Sequence, residues 1–104
     1  MKIAIAATSP EIETQVSMHG ARAAYYLLYD TETGLVEVLS NPVSQAERGA
    51  GRKAAEFLIS KGIDKVVAGD FGPRFRAELE DGGIVCIEKT GTISEVVAEL
   101  SEFA

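Results

Sequence analysis

The sequence predicts a three-layer α/β domain in which five strands and three helices follow the order β-β-β-α-β-α-β-α. Two observations predict this class. Short apolar runs rich in β-branched residues occur at residues 2–7, 65–69 and 84–87, and apolar residues at helical spacing fill the segments between the later runs. We expect residues 1–104 to form a single domain, because a chain of this length can enclose one core.

An antiparallel hairpin is predicted after the first strand. Residues 25–29 and 35–39 are two further apolar runs, joined by a turn in which Gly34 can adopt a positive φ. If the hairpin returns to the first strand and the last two strands run parallel to it, the functional loops meet at one edge of the sheet. Open α/β sheets bind their ligands at that edge.

The three helices are predicted from apolar spacing and from residues that start or end helices. The first covers residues 49–61 and is terminated by Gly62. The second begins at Pro73 and is closed by a Gly-Gly pair. The third follows Thr92, which has the spacing of a capping box with Glu95.

Composition excludes several function classes. The net charge of −6 argues against a general nucleic-acid binder, because affinity for phosphate backbones comes mainly from clustered Lys and Arg. The apolar run at residues 1–7 is too short for a signal peptide or a membrane span, so we expect a cytoplasmic protein without membrane contact. One cysteine, Cys86, excludes an internal disulfide and a metal site built on thiolates within one chain.

Positive charge is concentrated beside three glycine-containing loops, although the protein as a whole is acidic. We expect these loops to meet at the ligand-binding edge of the sheet and to form a cationic patch for an anionic ligand. The residues of the patch are Arg22, Arg48, Arg52, Lys53, Arg74 and Arg76.

The first helix begins with the letters of a dinucleotide fingerprint, GxGxxA, but it does not directly follow the first strand as that fingerprint should. Two other interpretations stay open. The small residues let the helix start pack close to the sheet, or free N–H groups at Gly49 and Gly51 bind some other anion with Arg52 nearby. Gly72 is likewise either a turn residue or, with Arg74, part of an anion contact.

His19 is the single histidine and lies just before the second strand. Imidazole is the commonest metal ligand, so His19 is a candidate ligand, although a plain polar loop role stays open. Cys86 is interpreted as a core residue in a buried strand. We predict no enzyme activity, because no serine lies in a nucleophile elbow and the first strand has no carboxylate for a two-metal nuclease.

Six segments also carry a family resemblance that covers nearly the whole chain. They are residues 16–23 (VSMHGARA), 25–30 (YYLLYD), 41–42 (NP), 49–51 (GAG, with Ala54 and Ala55 following), 68–73 (AGDFGP) and 90–92 (TGT). In order and spacing these segments resemble the dinitrogenase iron-molybdenum cofactor biosynthesis family.

The resemblance implies a ribonuclease H-like fold with a five-stranded mixed sheet. It implies a non-enzymatic carrier for an anionic iron-sulfur cluster or iron-molybdenum cofactor precursor, with a cluster donor or acceptor protein as partner. The acidic composition argues against nucleic acid as a partner. The resemblance also implies His19 as the metal ligand. The chain is expected to be a monomer or a homodimer, and a dimer would bring two His19 residues to one cluster. Charge and resemblance together give the candidate cofactor-binding residues His19, Arg22, Gly49, Gly51, Arg52, Gly72 and Arg74.

Two other functions compete with the carrier. A metal-free protein-interaction or regulatory domain on the same fold is the main alternative. A ribonuclease H-like nuclease rests on fold analogy alone.

Two features of the sequence argue against a cluster-binding site. The family pattern commonly reads His-Phe-Gly-Arg, whereas this chain keeps His19 and Arg22 but has Gly20 and Ala21 between them. Loss of the aromatic residue is expected to remove a wall that packs the histidine or shields a cluster from water. The acidic loop at residues 11–13 would repel an anion if it folded over the site.

Overall fold

A computed structural model describes residues 1–34, 36–46 and 48–102, and within them five strands and three helices follow the predicted order. Leu35, where the sequence predicts the third strand to begin, lies outside the described residues. The elements are β1 (Lys2–Ala7), β2 (Tyr25–Asp30), β3 (Val36–Ser40), α1 (Ala50–Ser60), β4 (Lys65–Ala68), α2 (Pro73–Asp81), β5 (Val85–Glu88) and α3 (Ile93–Glu102).

The strands form one mixed sheet in the order β3-β2-β1-β4-β5. The central strand, β1, is antiparallel to β2, where Ile5 faces Leu27, and parallel to β4, where Ile5 faces Val67. The predicted hairpin forms between β2 and β3, and β5 runs parallel to β4. These directions and this order confirm the predicted five-stranded, ribonuclease H-like sheet.

Alternating side chains of the sheet pack against helices on both faces, as the period of two in a strand requires. On one face Ala6 lies in a core cluster with Leu58 of α1 and Leu79 of α2. On the other face Ile5 lies in a second cluster with Ile93 of α3. The predicted three layers are therefore confirmed.

The helix boundaries agree closely with those predicted. α1 begins at Ala50, one residue later than expected, because Gly49 is its N-cap and has a φ of 68°, outside the helical region. Pro73 is the first residue of α2, as predicted. Among the described residues, none of the helices combines the length and the apolarity that crossing a membrane requires.

The start of α3 is closed by its own side chains and by a neighbouring segment. The predicted capping box is confirmed: Thr92 Oγ1 accepts from the Glu95 N–H at 3.2 Å, and Glu95 Oε1 accepts from the Thr92 N–H at 3.3 Å. Carbonyl groups of segment 12–14 accept from the N–H groups of Ile93 and Ser94, at 2.9 and 3.0 Å. Most donors of the first turn of α3 are therefore already used.

The strand that carries Cys86 differs from the prediction of a buried strand. β5 is at the edge of the sheet, so Val85 is 52% exposed and Cys86 is only half-buried. Burial raises the pKa of the Cys86 thiol, against a smaller lowering by Arg76. Cys86 packs against the edge of the core, which agrees with a packing role.

Candidate functional site

A cleft of about 420 Å³ opens at the edge of the sheet where β1 and β4 end. Loop 18–22, the start of α1 and segment 70–75 line this cleft, because the strand directions bring all three to the same edge. It brings together six of the seven residues that the sequence singles out as binding candidates. These six are His19, Arg22, Gly49, Gly51, Gly72 and Arg74.

The seventh candidate, Arg52, does not line the cleft. Its guanidinium pairs with a glutamate one turn further along α1, and two other arginines of the predicted cationic patch have similar partners. The ion pairs are Arg52–Glu56 at 3.1 Å, Arg74–Glu78 at 3.1 Å and Arg76–Glu88 at 2.6 Å. The patch is therefore less positive than its arginine count indicates, although exposed pairs of this kind are weak.

Two helices begin at the cleft with open N-termini. Neither α1 nor α2 has a side-chain cap or an acidic residue in its first turn, in contrast to α3. Their N-caps, Gly49 and Gly72, have φ values of 68° and 72°, which favour glycine. The N–H groups of a first turn and the positive end of the helix dipole attract anions. Two helix N-termini that attract anions therefore lie at the cleft.

Gly51 explains why the start of α1 is made of small residues. A Cβ atom at Gly51 would lie 3.1 Å from the backbone nitrogen of Phe75 in α2. The small residue therefore allows the two helix starts to touch, whereas the sequence interpretation placed this close packing against the sheet. The same contact brings both open N-termini to one cleft.

An aromatic wall is present despite the missing phenylalanine of the family pattern. Gly20 is buried, and a Cβ atom there would lie 2.9 Å from Phe75 Cε2, so a larger side chain has no room. Phe71 and Phe75 stack with ring centroids 5.7 Å apart, and both line the cleft. Segment 70–75 thus supplies aromatic rings to the cleft, although position 20 supplies none.

His19 and Arg22 are both exposed at the mouth of the cleft. The His19 N–H donates to Oγ of the buried Ser17 at 3.1 Å, which orients the backbone at this point. Among the described residues, the His19 imidazole makes no hydrogen bond, so it is available to a ligand. The Arg22 guanidinium donates to the Ala46 carbonyl, in the segment that precedes α1.

The two other polar loops at this edge stay outside the cleft. Residues 11–13 and 90–92 do not line it, because segment 12–16 pairs with Gly91 and with the start of α3. The acidic loop therefore does not cover the site. Among the described lining residues, Asp70 carries the one carboxylate.

Sequence reasoning missed part of the lining. Met18 and Asp70 line the cleft, and so do Phe71 and Phe75. Met18, Asp70 and Phe71 fall within the family-like segments, and this is the signal that could have identified them. Phe75 lies outside those segments, in the predicted second helix. Within residues 1–34, 36–46 and 48–102, no three His, Cys, Asp or Glu side chains lie close enough together to hold a metal ion.

Comparison with known proteins decides the family. A sequence model of the dinitrogenase iron-molybdenum cofactor family matches residues 1–102. The chain belongs to this family. The resemblance predicted from the sequence is thereby confirmed. Membership of the family associates this protein with biosynthesis or binding of the iron-molybdenum cofactor. Comparison with curated proteins gives no match.

Two solved structures resemble this family member along nearly its whole length. An NMR structure of a Thermotoga protein that carries a NifB description has 33% identity and a TM-score of 0.82, covering 97% of this chain and 87% of that chain. The apo form of the orange protein from Desulfovibrio gigas has 26% identity and a TM-score of 0.88, covering 98% of this chain and 88% of that chain. Both agree with the α/β fold described above.

Proposed function

We propose that this protein binds an anionic iron-sulfur cofactor of the iron-molybdenum type, or a precursor of it, and carries it between a donor and an acceptor protein without catalysing a reaction. The cleft is the binding site. The observation that carries this proposal is the meeting of two open helix N-termini with His19, Arg22 and Arg74 at one opening of an otherwise acidic protein.

The donor set of the cleft fits a cluster that arrives already assembled. A preformed cluster brings its own metal and sulfide, so charge-assisted hydrogen bonds and backbone N–H groups can hold its anionic surface beside a single protein ligand. The cleft offers one imidazole, from His19, and has no cysteine in its lining. Its volume of about 420 Å³ lies within the usual range for small-ligand pockets. The cleft therefore suits a cargo that arrives preassembled, since its described lining residues do not supply the ligands for assembling a metal site.

Each part of the cleft has a distinct role in this proposal. His19 supplies a nitrogen ligand to a metal of the cargo, and Arg22 and Arg74 donate N–H groups to its anionic surface. The first-turn N–H groups of α1 and α2 add donors that need no reorganisation. Phe71 and Phe75 exclude water from one wall.

Anaerobic titration with an iron-molybdenum cofactor precursor tests the proposal. We expect saturable binding by the wild-type protein, followed by visible absorbance and by co-elution of iron. His19→Ala is expected to weaken binding by about tenfold or more, because it removes the nitrogen ligand. Arg52→Ala is the matched control, since Arg52 is exposed on α1 but lies outside the cleft.

Two results would contradict the proposal in different ways. A folded wild-type protein that shows no saturable binding would remove the carrier function. Equal losses in His19→Ala and Arg52→Ala would leave the function in place but would move its site away from the cleft.

A metal-free interaction domain is a second candidate, favoured by the exposed edge strand β3. Val36 and Val38 are 40% and 42% exposed, and the outer side of an edge strand can pair with another strand. Antiparallel pairing of two β3 strands about Val38 would place Glu37 opposite Leu39, so no like charges would face each other.

Light scattering tests this second candidate. If β3 mediates pairing, the wild-type protein is expected to form a dimer and Val38→Lys a monomer, because a lysine on an edge strand opposes pairing. Val85→Lys, on the opposite edge strand β5, should leave the dimer intact. A monomeric wild-type protein at high concentration would count against pairing through β3.

A further inference from the structure

A buried polar pair lies beneath the loop that carries His19 and Arg22. Tyr26 is fully buried, and its hydroxyl donates to the Gly20 carbonyl at 2.6 Å. Asn41 is 5% exposed, and its Nδ2 donates to the carbonyls of Ala21 and Ala23 at 2.9 and 2.8 Å. Nδ2 also lies 3.4 Å from the Tyr26 hydroxyl, so the two side chains form one network.

This network holds a segment that has no helix or strand of its own. Residues 20–23 form a turn between β1 and β2, and three of their carbonyl groups accept from Tyr26 or Asn41. The Gly20 N–H adds one further anchor by donating to the Asp70 carbonyl at 3.0 Å. Buried carbonyl groups without donors are costly, so loss of the network would favour another conformation of the turn.

The Tyr26 hydroxyl and the Asn41 amide each keep a single hydrogen-bonding role toward the turn. Burial raises the pKa of Tyr26 far above its usual value, so its hydroxyl remains a donor at every physiological pH. Asn41 Oδ1 accepts from the Val43 N–H at 3.1 Å, which sets the orientation of the amide. With Oδ1 committed there, Nδ2 must face the turn, since the opposite orientation would place an oxygen against carbonyl oxygens.

We propose that Tyr26 and Asn41 are positioning residues for the cleft: they fix the backbone of residues 20–23 and thereby hold His19 and Arg22 in place before the cargo arrives. This inference rests on the proposed function for its effect on binding. Neither side chain lines the cleft, so both act through the turn. A preformed loop loses less conformational freedom on binding, which raises affinity without adding a contact.

The test removes one hydroxyl from each of two buried tyrosines of β2. Tyr26→Phe deletes the donor to Gly20 but keeps the ring in the core. Tyr29→Phe is the matched control, because Tyr29 is 7% exposed in the core cluster on the other face of the sheet. In the precursor titration, with all proteins folded, Tyr26→Phe is expected to bind more weakly by up to about tenfold, because loss of the hydrogen bond shifts the turn toward conformations that do not bind. Tyr29→Phe should bind like the wild type.

A second measurement needs no cargo. Amide hydrogen exchange of residues 20–23 is expected to be faster in Tyr26→Phe than in Tyr29→Phe, while exchange of the β4 amides stays the same in both. Equal exchange at residues 20–23 in the two variants would overturn the positioning role, as would equal affinities. If the wild-type protein binds no precursor, the proposed function fails, and the exchange comparison still decides whether this pair fixes the turn.

Discussion

Replacing Phe75 by alanine is expected to lower the free energy of unfolding by about 3–5 kcal/mol, the usual cost of deleting a buried aromatic ring. Phe75 is 1% exposed and stacks on Phe71 at 5.7 Å between ring centroids. The buried residues of α2 are Phe75 and Leu79, so the ring supplies much of the contact that holds this helix. Urea denaturation followed by circular dichroism measures the loss.

Phe57→Ala is the control for the effect of ring burial. Phe57 lies on α1 and is only partly buried, with Lys61 over its ring at 5.6 Å. Its replacement should therefore cost clearly less than that of Phe75. If both variants lose the same free energy of unfolding, burial of Phe75 against Phe71 and the two helix starts would not be what holds α2 in place.

Removing both cleft arginines, in Arg22→Ala/Arg74→Ala, is expected to weaken binding of the cofactor precursor by about 100-fold or more, since each charge-assisted hydrogen bond contributes about 1.5–3 kcal/mol. Both arginines are lining residues of the cleft, and loss of Arg74 also frees the Glu78 carboxylate from its ion pair. The dissociation constant from anaerobic titration at fixed salt gives the size of the effect.

A control variant with the same change in net charge separates contact from long-range attraction. Arg52→Ala/Lys61→Ala removes two positive charges from exposed positions of the α1 region outside the cleft. It should weaken binding by no more than about threefold at moderate salt, because distant surface charges are screened. Similar losses in both double variants would mean that overall charge, and not contact in the cleft, sets the affinity.

The fold could be predicted from sequence because its elements are locally encoded. The run containing Ile3 and Ile5 is continuously apolar, as in a strand buried on both faces, and the Thr92–Glu95 spacing specifies a helix start by itself. The exposure of Cys86 could not be predicted this way. An apolar run looks the same in a central strand and in an edge strand, and only the strand order distinguishes them.

The site was predictable to the extent that it follows from topology. Strand directions alone bring His19, Gly49 and Gly72 to one edge of the sheet. Arg52 was misplaced relative to the cleft because a step of one residue along a helix turns the side chain by about 100°, so a neighbour of Gly51 points elsewhere. The aromatic wall and the Tyr26–Asn41 network depend on contacts between distant segments, which no local pattern records.

The two-sided pairing of β1 has a consequence for the order of folding. Its antiparallel partner β2 follows soon in the chain, whereas its parallel partner β4 comes only after β3 and α1. Closing the longer loop costs more entropy, so we expect the meander of β1, β2 and β3 to form before the parallel half joins it. The cleft needs loop 18–22 from the first half and segment 70–75 from the second. If the proposed carrier function holds, only a chain that has completed folding can hold cargo, and a nascent or partly folded chain would leave it with the donor.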